Sequence, residues 1–397
     1  MFSACAPARD CASPATRCRR PGFTLVEILV VISIIGILIS ITIPAVMHAK
    51  HAAARAQCGE NLRQLALATT LFETTHGHMP GYLQKFGEFN GGVDPTDPSN
   101  YAGNVPRHVK VGGWPIALLG QLGNQPAYER WSLDRYPIIA DNQSINAPTA
   151  EGYSPFAAVN FETFICPSAS NYLTTRGINH YVANTGMHAD SFPFTYTRPG
   201  SPARTVGFAK SQHHDNGIFN NQYAGFVGSA PTQLVATGKP FRIDDCDDGA
   251  SQTMLLSENH QAGALYRTRL TNNTNHLTNI VNVNGKDVVE YPASSRYLQG
   301  AVWHFEDPNG FAGAPTPNAV HKINGGDVYL DLMTAANAPD LARPSSLHDG
   351  GVNMAMVDGS VRFVTESISY PIYQALLTPS GRSSDVPNNE FVPLDPI

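Results

Sequence analysis

The chain begins its patterned part with an unbroken apolar run. From Phe23 to Val46 almost every position is hydrophobic, and the one ionisable side chain in it is Glu27. At ~1.5 Å per residue a helix of this length crosses a ~30 Å hydrocarbon core with some tilt. After Pro44 the pattern turns amphipathic. Residues 49–75 are rich in helix formers and place Leu62, Leu65, Thr69 and Phe72 on one stripe, with Arg55, Glu60 and Arg63 elsewhere. Gly77 and Pro80 give a stop. The pattern therefore predicts one long helix, bent at Pro44 where the amide is missing.

Beyond it the periodicity shortens. Residues 81–110 are rich in Gly, Asp, Asn and Pro and read as a long surface loop, and WPIALLGQLGNQPAYERW (114–131) reads as a short helix. FETFICPS (161–168), INHYVANTG (178–186), NGIF (216–219), TMLLSEN (253–259) and AVWHF (301–305) read as strands. The sharpest signal is GGVNMAMVDGSVRFVTES (350–367). There Val352, Met354 and Met356 alternate with Asn353, Ala355 and Val357, and Asp358-Gly359 forms a two-residue turn to a second strand. The expected class is α+β: a long N-terminal transmembrane helix continuing into a head domain built on antiparallel β-sheet. The expected boundaries are leader 1–22, spanning helix 23–46, amphipathic extension 47–77 and globular domain 78–397.

Composition narrows this picture. The chain has 397 residues, only 15% of them charged, and a net charge of −6, so nothing resembles a nucleic-acid surface. Eighteen Phe, fifteen Tyr and three Trp supply the bulk of a real core, which argues against disorder despite 34 Gly and 30 Pro. Arg9, Arg17, Arg19 and Arg20 precede the apolar run and favour a cytoplasmic N-terminus. The run exceeds the 7–15 residues of a secretory signal core, so it reads as an anchor. Cys5, Cys11 and Cys18 lie ahead of it; Cys58, Cys166 and Cys246 lie beyond and allow at most one bridge, for which Cys58–Cys166 is the favoured pair among connectivities that spacing leaves open.

The residues G-F-T-L-V-E (22–27) resemble the cleavage and methylation site of type IV prepilins and type II secretion pseudopilins. The resemblance implies that a prepilin peptidase/N-methyltransferase cuts between Gly22 and Phe23 and methylates the new terminus. It also implies that Glu27 pairs with the Phe23 ammonium of a neighbouring subunit, which would satisfy two buried charges only on assembly. Further along, NLRQLALA (61–68), WPIALLGQL (114–122), FICPS (164–168), DDGASQT (247–253) and His348 with Asp358-Gly359 resemble the domain of unknown function 1559 group and its C-terminal H-X9-DG signature. Two positions depart from that pattern, Cys246 before the DG turn and Gly120 in place of a Pro.

The implied role is a pseudopilin-like structural subunit of a type II secretion or type IV pilus-like assembly, not an enzyme and without a cofactor. Its partners would be the peptidase, other pilin-like subunits, an inner-membrane assembly platform and membrane lipid. Its place would be the bacterial inner membrane, single-pass, with a periplasmic head, or a cell-surface filament. The competing role is a membrane-tethered extracytoplasmic binding module for a glycan or another exported polymer.

Other candidates weigh less. His348 and Asp358 stand at opposite ends of a strand, roughly 20–30 Å apart at ~3.3 Å per residue, so they read as a strand cap and a turn former. Asp244 and Asp248 are calcium candidates, but Cys246 and Leu255 occupy positions where an EF-hand needs ligands, so a solvated acidic turn is preferred and no metal is assigned. His213 and His214, on an extended chain, would point to opposite faces. The sequence contains no G-x-S-x-G, P-loop, H-E-x-x-H or G-x-G-x-x-G.

Overall fold

The computed structural model describes residues 24–140, 153–169, 177–188, 194–197, 201–223, 237–268, 280–283, 286–289, 294–307, 309, 314–326, 331, 333–334 and 336–388. The chain divides into two compact units, Met1–Lys50 and His51–Ile397. The leader 1–22 and the scissile pair Gly22 and Phe23 lie outside the described residues.

Helix α1, Leu25–His76, runs through both units and contains Pro44. In the first unit its apolar side chains are exposed, and the helix is long and apolar enough to cross a membrane. Three hydroxyls there fold back on the helix: Ser33 Oγ donates to the Leu29 carbonyl, Ser40 Oγ to that of Ile37 and Thr42 Oγ1 to that of Ile39. Hydroxyls satisfied in this way are compatible with hydrocarbon. In the second unit the same helix buries Cys58, Asn61, Leu62, Leu65, Ala66, Ala68, Thr69 and Phe72, one stripe at helical spacing. A buried Leu or Phe side chain contributes about 1.5–3 kcal/mol, more than the ~0.7 kcal/mol range of ordinary helix propensities, so packing holds this half.

The remaining elements are β1 Gln84–Phe89, β2 His108–Gly112, α2 Trp114–Ala117, α3 Gln125–Ser132, β3 Tyr181–Met187, β4 Phe194–Tyr196, β5 Arg204–Val206, α4 Phe208–Ser211, β6 Met254–Glu258, β7 Ile280–Val283, β8 Lys286–Val289, α5 Ser294–Gln299, β9 Gly300–Trp303, α6 Ala338–Leu341, β10 Gly351–Met356, β11 Val361–Thr365 and α7 Tyr370–Leu377. The central sheet has the order β11-β10-β6-β3-β9. All its pairings are antiparallel except β3 with β9, which is parallel, so the expected antiparallel sheet carries one parallel edge strand and the α+β class holds.

Both faces of this sheet are covered. Tyr181, Ala183, Leu255, Leu256, Ala355 and Val357 join the α1 stripe in one core cluster. Val182, Met254, Trp303, Val352, Met354 and Met356 join Tyr370, Tyr373, Leu376 and Leu377 of α7 in another. The period-2 alternation in β10 thus sorts side chains between two apolar layers rather than between core and water.

Several sequence readings change. The stretch 81–110 is not one loop: β1 and β2 pair antiparallel within and just beyond it. Their signal is masked because β2 buries a lysine; Lys110 Nζ donates to the carbonyls of Arg130 and Leu133. Residues 114–131 form two helices, separated near Gly123, whose φ is +78°. FETFICPS is not a strand but a 3-10 turn, Glu162–Phe164, and Asn61 Nδ2 donates to the Ile165 carbonyl beyond it. NGIF is buried without being a strand, because Ile218 and Phe219 both donate to the Asn184 carbonyl. The β10–β11 connection spans four residues, with only Gly359 of Asp358-Gly359 at positive φ (+82°) and Asp358 Oδ1 accepting from Ser360 N and Oγ.

Close backbone contact beside β3 makes one strong stability prediction. A Cβ on Gly217 would lie 2.3 Å from Gly186 Cα. Gly217→Ala is expected to lower stability by about 1–3 kcal/mol or more, as overpacking does. Denaturant unfolding would check this, and an unchanged midpoint would refute it.

Candidate functional site

The start of α1 is the first place where sequence and chemistry meet. Thr24 and Glu27 form a reciprocal cap. Glu27 N donates to Thr24 Oγ1 at 3.3 Å, while Glu27 Oε2 accepts from Thr24 N and from Thr24 Oγ1, each at 2.8 Å. This is the capping-box arrangement, and T-x-x-E in the sequence is its signal. A carboxylate in the first turn also faces the positive end of the helix dipole. Glu27 therefore has partners within its own chain, and both bonds use one carboxylate oxygen.

The second place lies in the globular unit, where four segments converge. Cys58 of α1 and Cys166 form a disulfide with Cα atoms 5.3 Å apart, while Cys246 is free. His348, in the loop before β10, brings Nε2 to 3.2 Å from Glu258 Oε1 and 3.9 Å from Cys166 Sγ. Glu258, at the end of β6, also accepts from Asn353 N (2.8 Å) and Nδ2 (2.9 Å) on β10. The backbone N–H of Cys166 donates to His180 Nδ1 at 3.0 Å. All four side chains of Cys58, Cys166, Glu258 and His348 are buried, and their candidate ligand atoms lie within 4.8 Å of one another. Asp358 sits exposed at the far end of β10, so the structure separates it from His348. Glu258 and Asn353 were not singled out by the sequence, because a Glu within TMLLSEN carries no pattern that reveals its burial.

The hairpin packs on α1 beside this cluster. The Arg55 guanidinium lies 3.3 Å from the Phe363 ring centroid, and Asn353 Nδ2 donates to the Arg55 carbonyl. Gly59, Glu60 and Arg63 of α1 face Asp358, Gly359 and Ser360 across a cleft of about 550 Å³.

The remaining candidates make the following contacts. Asp244 lies in a 3-10 turn, Ile243–Asp245. Asp248 instead accepts from Gly381 N, and Asp247 from Ser380 Oγ, so this acidic run clamps the 379–381 segment. Burial, with nearby Asp247 and Asp215, pushes the Asp248 carboxyl up. His213 and His214 do not diverge: they follow α4 in a turn, stack at 4.4 Å and both contact Asp215.

A histidine stack escaped the sequence reading. His304 lies face to face with His321 at 3.4 Å and with His188 at 4.3 Å. His321 is held between Glu306 and Asp340, both at 2.9 Å, and these carboxylates raise its pKa against burial. Burial and its two histidine neighbours hold His304 well below the usual range.

Burial similarly lowers His108 and His180 to about 4. His108 Nε2 accepts from Ile138 N, a bond that only the neutral ring can accept. A folded pKa below the unfolded value of ~6.5 means that the unfolded chain takes up protons first as pH falls. Stability carried by His108 and His180 is then intact above about pH 6.5 and lost toward about pH 4, by up to about 3 kcal/mol each. His321 works in the opposite sense, contributing below its unfolded pKa and losing that contribution as pH rises through its raised folded value. The denaturant midpoint is expected to fall steadily on acidification across that window; a flat midpoint would refute the assignment.

Residues 47–370 match the family described as "Protein of unknown function (DUF1559)". The chain belongs to that family. Residues 17–43 match the prokaryotic N-terminal methylation motif. The chain matches no curated protein and no solved structure. This DUF1559 member is thus a pilin- or pseudopilin-like processed protein, and among the described residues one helix, α1, is long and apolar enough to anchor it in a membrane. The motif implies processing by a prepilin peptidase and pilin-like assembly.

Proposed function

We propose that this chain is a non-enzymatic structural subunit of a type II secretion or type IV pilus-like assembly. It is anchored in the bacterial inner membrane, with its N-terminus cytoplasmic and its globular unit periplasmic. The observation that carries the reading is the methylation motif over residues 17–43, placed directly on a spanning helix whose first turn holds Glu27. A carboxylate at that depth costs on the order of a few kcal/mol unless it has partners. Thr24 supplies two hydrogen bonds through Oε2, and the opposite charge would come through Oε1 from the Phe23 ammonium of a neighbouring subunit. The absence from the sequence of nucleophile-elbow, P-loop and zinc-protease motifs supports a role outside catalysis.

Cleavage tests the reading most directly. Intact-mass and N-terminal analysis of the protein from its own membranes should find a chain beginning at N-methylated Phe23. A terminus at Met1 would overturn it.

A membrane-tethered binding module is the second reading. What favours it is a cleft of about 450 Å³ flanked by Tyr136, Phe156, Phe161 and Arg130, because aromatic walls suit the apolar faces of a sugar or an extended polymer. Retention of a glycan by the full chain, lost on Phe156→Ala, would support it over the assembly role.

A further inference from the structure

We propose that Cys58, Cys166, His348 and Glu258 form a four-coordinate Zn²⁺ site in the dithiol form of the protein, a site that the disulfide replaces on oxidation.

The argument begins with ligand identity. Two thiolates, an imidazole and a carboxylate are the donors Zn²⁺ selects, and a closed set of four protein ligands is the structural kind of site. The four come from distant parts of the chain: α1, the segment after the 3-10 turn, the end of β6 and the loop before β10. Chance proximity in sequence therefore does not explain them. All four are buried, and their ligand atoms lie within 4.8 Å of one another.

Distances follow. Zinc–ligand bonds of ~2.3 Å to sulfur and ~2.1 Å to nitrogen or oxygen, at tetrahedral angles, separate sulfur from nitrogen by about 3.6 Å and nitrogen from oxygen by about 3.4 Å. The structure has 3.9 Å from Cys166 Sγ to His348 Nε2 and 3.2 Å from His348 Nε2 to Glu258 Oε1. Two of the tetrahedral edges are thus already at metal-ready spacing. Opening the disulfide lets the two sulfurs separate into the rest.

Outer contacts suit the same purpose. Asn353 holds the Glu258 carboxylate through N and Nδ2, Ser346 Oγ accepts from His348 N at 3.1 Å, and His180 Nδ1 accepts from Cys166 N. The Glu258 carboxylate is thus oriented from behind as metal ligands usually are, and the other two bonds fix the backbone that carries His348 and Cys166.

The exchange balances. A dithiol reductant transfers two electrons and two protons to the Cys58–Cys166 bond; that bond breaks, two thiols form, and the reductant closes to its own disulfide. Zinc entry then releases the two thiol protons, and His348 ligates as the neutral ring. Either state ties α1 to the segment carrying Cys166, so a chain that has not yet met an oxidant keeps the same four segments joined.

The test uses the full chain in detergent, reduced with dithiothreitol, desalted anaerobically and titrated with Co²⁺ as the probe. The expected result is one Co²⁺ per chain, with a thiolate-to-cobalt charge-transfer band and the intense visible bands of a tetrahedral site. Zn²⁺ should abolish these bands and raise the unfolding midpoint of the reduced protein, and the oxidised chain should show neither effect. Zinc-edge X-ray absorption of the unmutated reduced protein should find two sulfur and two lighter ligands, and Glu258→Gln should weaken zinc at least tenfold. A folded reduced protein that binds no Co²⁺, or zinc bound without two sulfurs, overturns the proposal.

Discussion

Replacing Glu27 with alanine is expected to abolish incorporation of the chain into assemblies while leaving cleavage after Gly22 intact. Glu27 makes two contributions that substitutions separate. As the far half of the capping box it bonds Thr24, and losing that cap costs about 0.5–2 kcal/mol of local helix stability. As a charge near the start of the apolar run it would be matched on assembly by the ammonium of a second chain, and an unmatched charge at that depth costs several times more. Thr24→Ala should therefore fray the first turn and reduce assembly only partly. Glu27→Gln keeps an acceptor for Thr24 but carries no charge, and it should fail as completely as alanine. Cross-linked oligomers in membranes and the amount of chain recovered by shearing read both effects. Wild-type assembly by Glu27→Gln would remove the charge-pairing mechanism while leaving the cap.

The largest stability effect is expected in the globular unit. Glu258→Ala should cost about 3–5 kcal/mol, the usual price of removing one member of a buried pair. Two losses add up there: His348, itself buried, faces no carboxylate, and Asn353 N and Nδ2 lose their acceptor. Against a typical total of about 5–15 kcal/mol this is a large fraction, so the variant should unfold at markedly lower denaturant. Removing both partners leaves no charge behind. Glu258→Leu combined with His348→Leu should therefore be less damaging than the sum of the single changes. Additive losses in that cycle, or a change below about 1 kcal/mol for Glu258→Ala, would show that the two side chains are not energetically coupled.

How far the sequence could be read depended on the range of the interactions involved. The long apolar helical run, the amphipathic stripe through Leu62, Leu65, Thr69 and Phe72, the helix stop at Gly77 and the 350–367 hairpin are set by residues within a turn or two of one another, and all are found as helix and hairpin where the pattern puts them. The T-x-x-E cap was equally legible, yet the same glutamate read as an intermolecular partner hides its local bonds. Strands β1 and β2 were not legible, because a buried Lys110 satisfied by two carbonyls looks polar in a linear pattern. Nor was the mixed sheet, since the parallel pairing of β3 with β9 joins residues more than a hundred positions apart.

Sequence alone thus determined how the chain is handled: a processing motif, an anchor and a first-turn carboxylate, each a property of contiguous residues. Tertiary structure alone decided what surrounds Cys58. It brings Cys166, Glu258 and His348 to it from three other segments, and it buries a Glu–His contact whose members differ in no visible way from surface Glu and His. Burial and long-range approach are properties of the folded chain, and no local period encodes them.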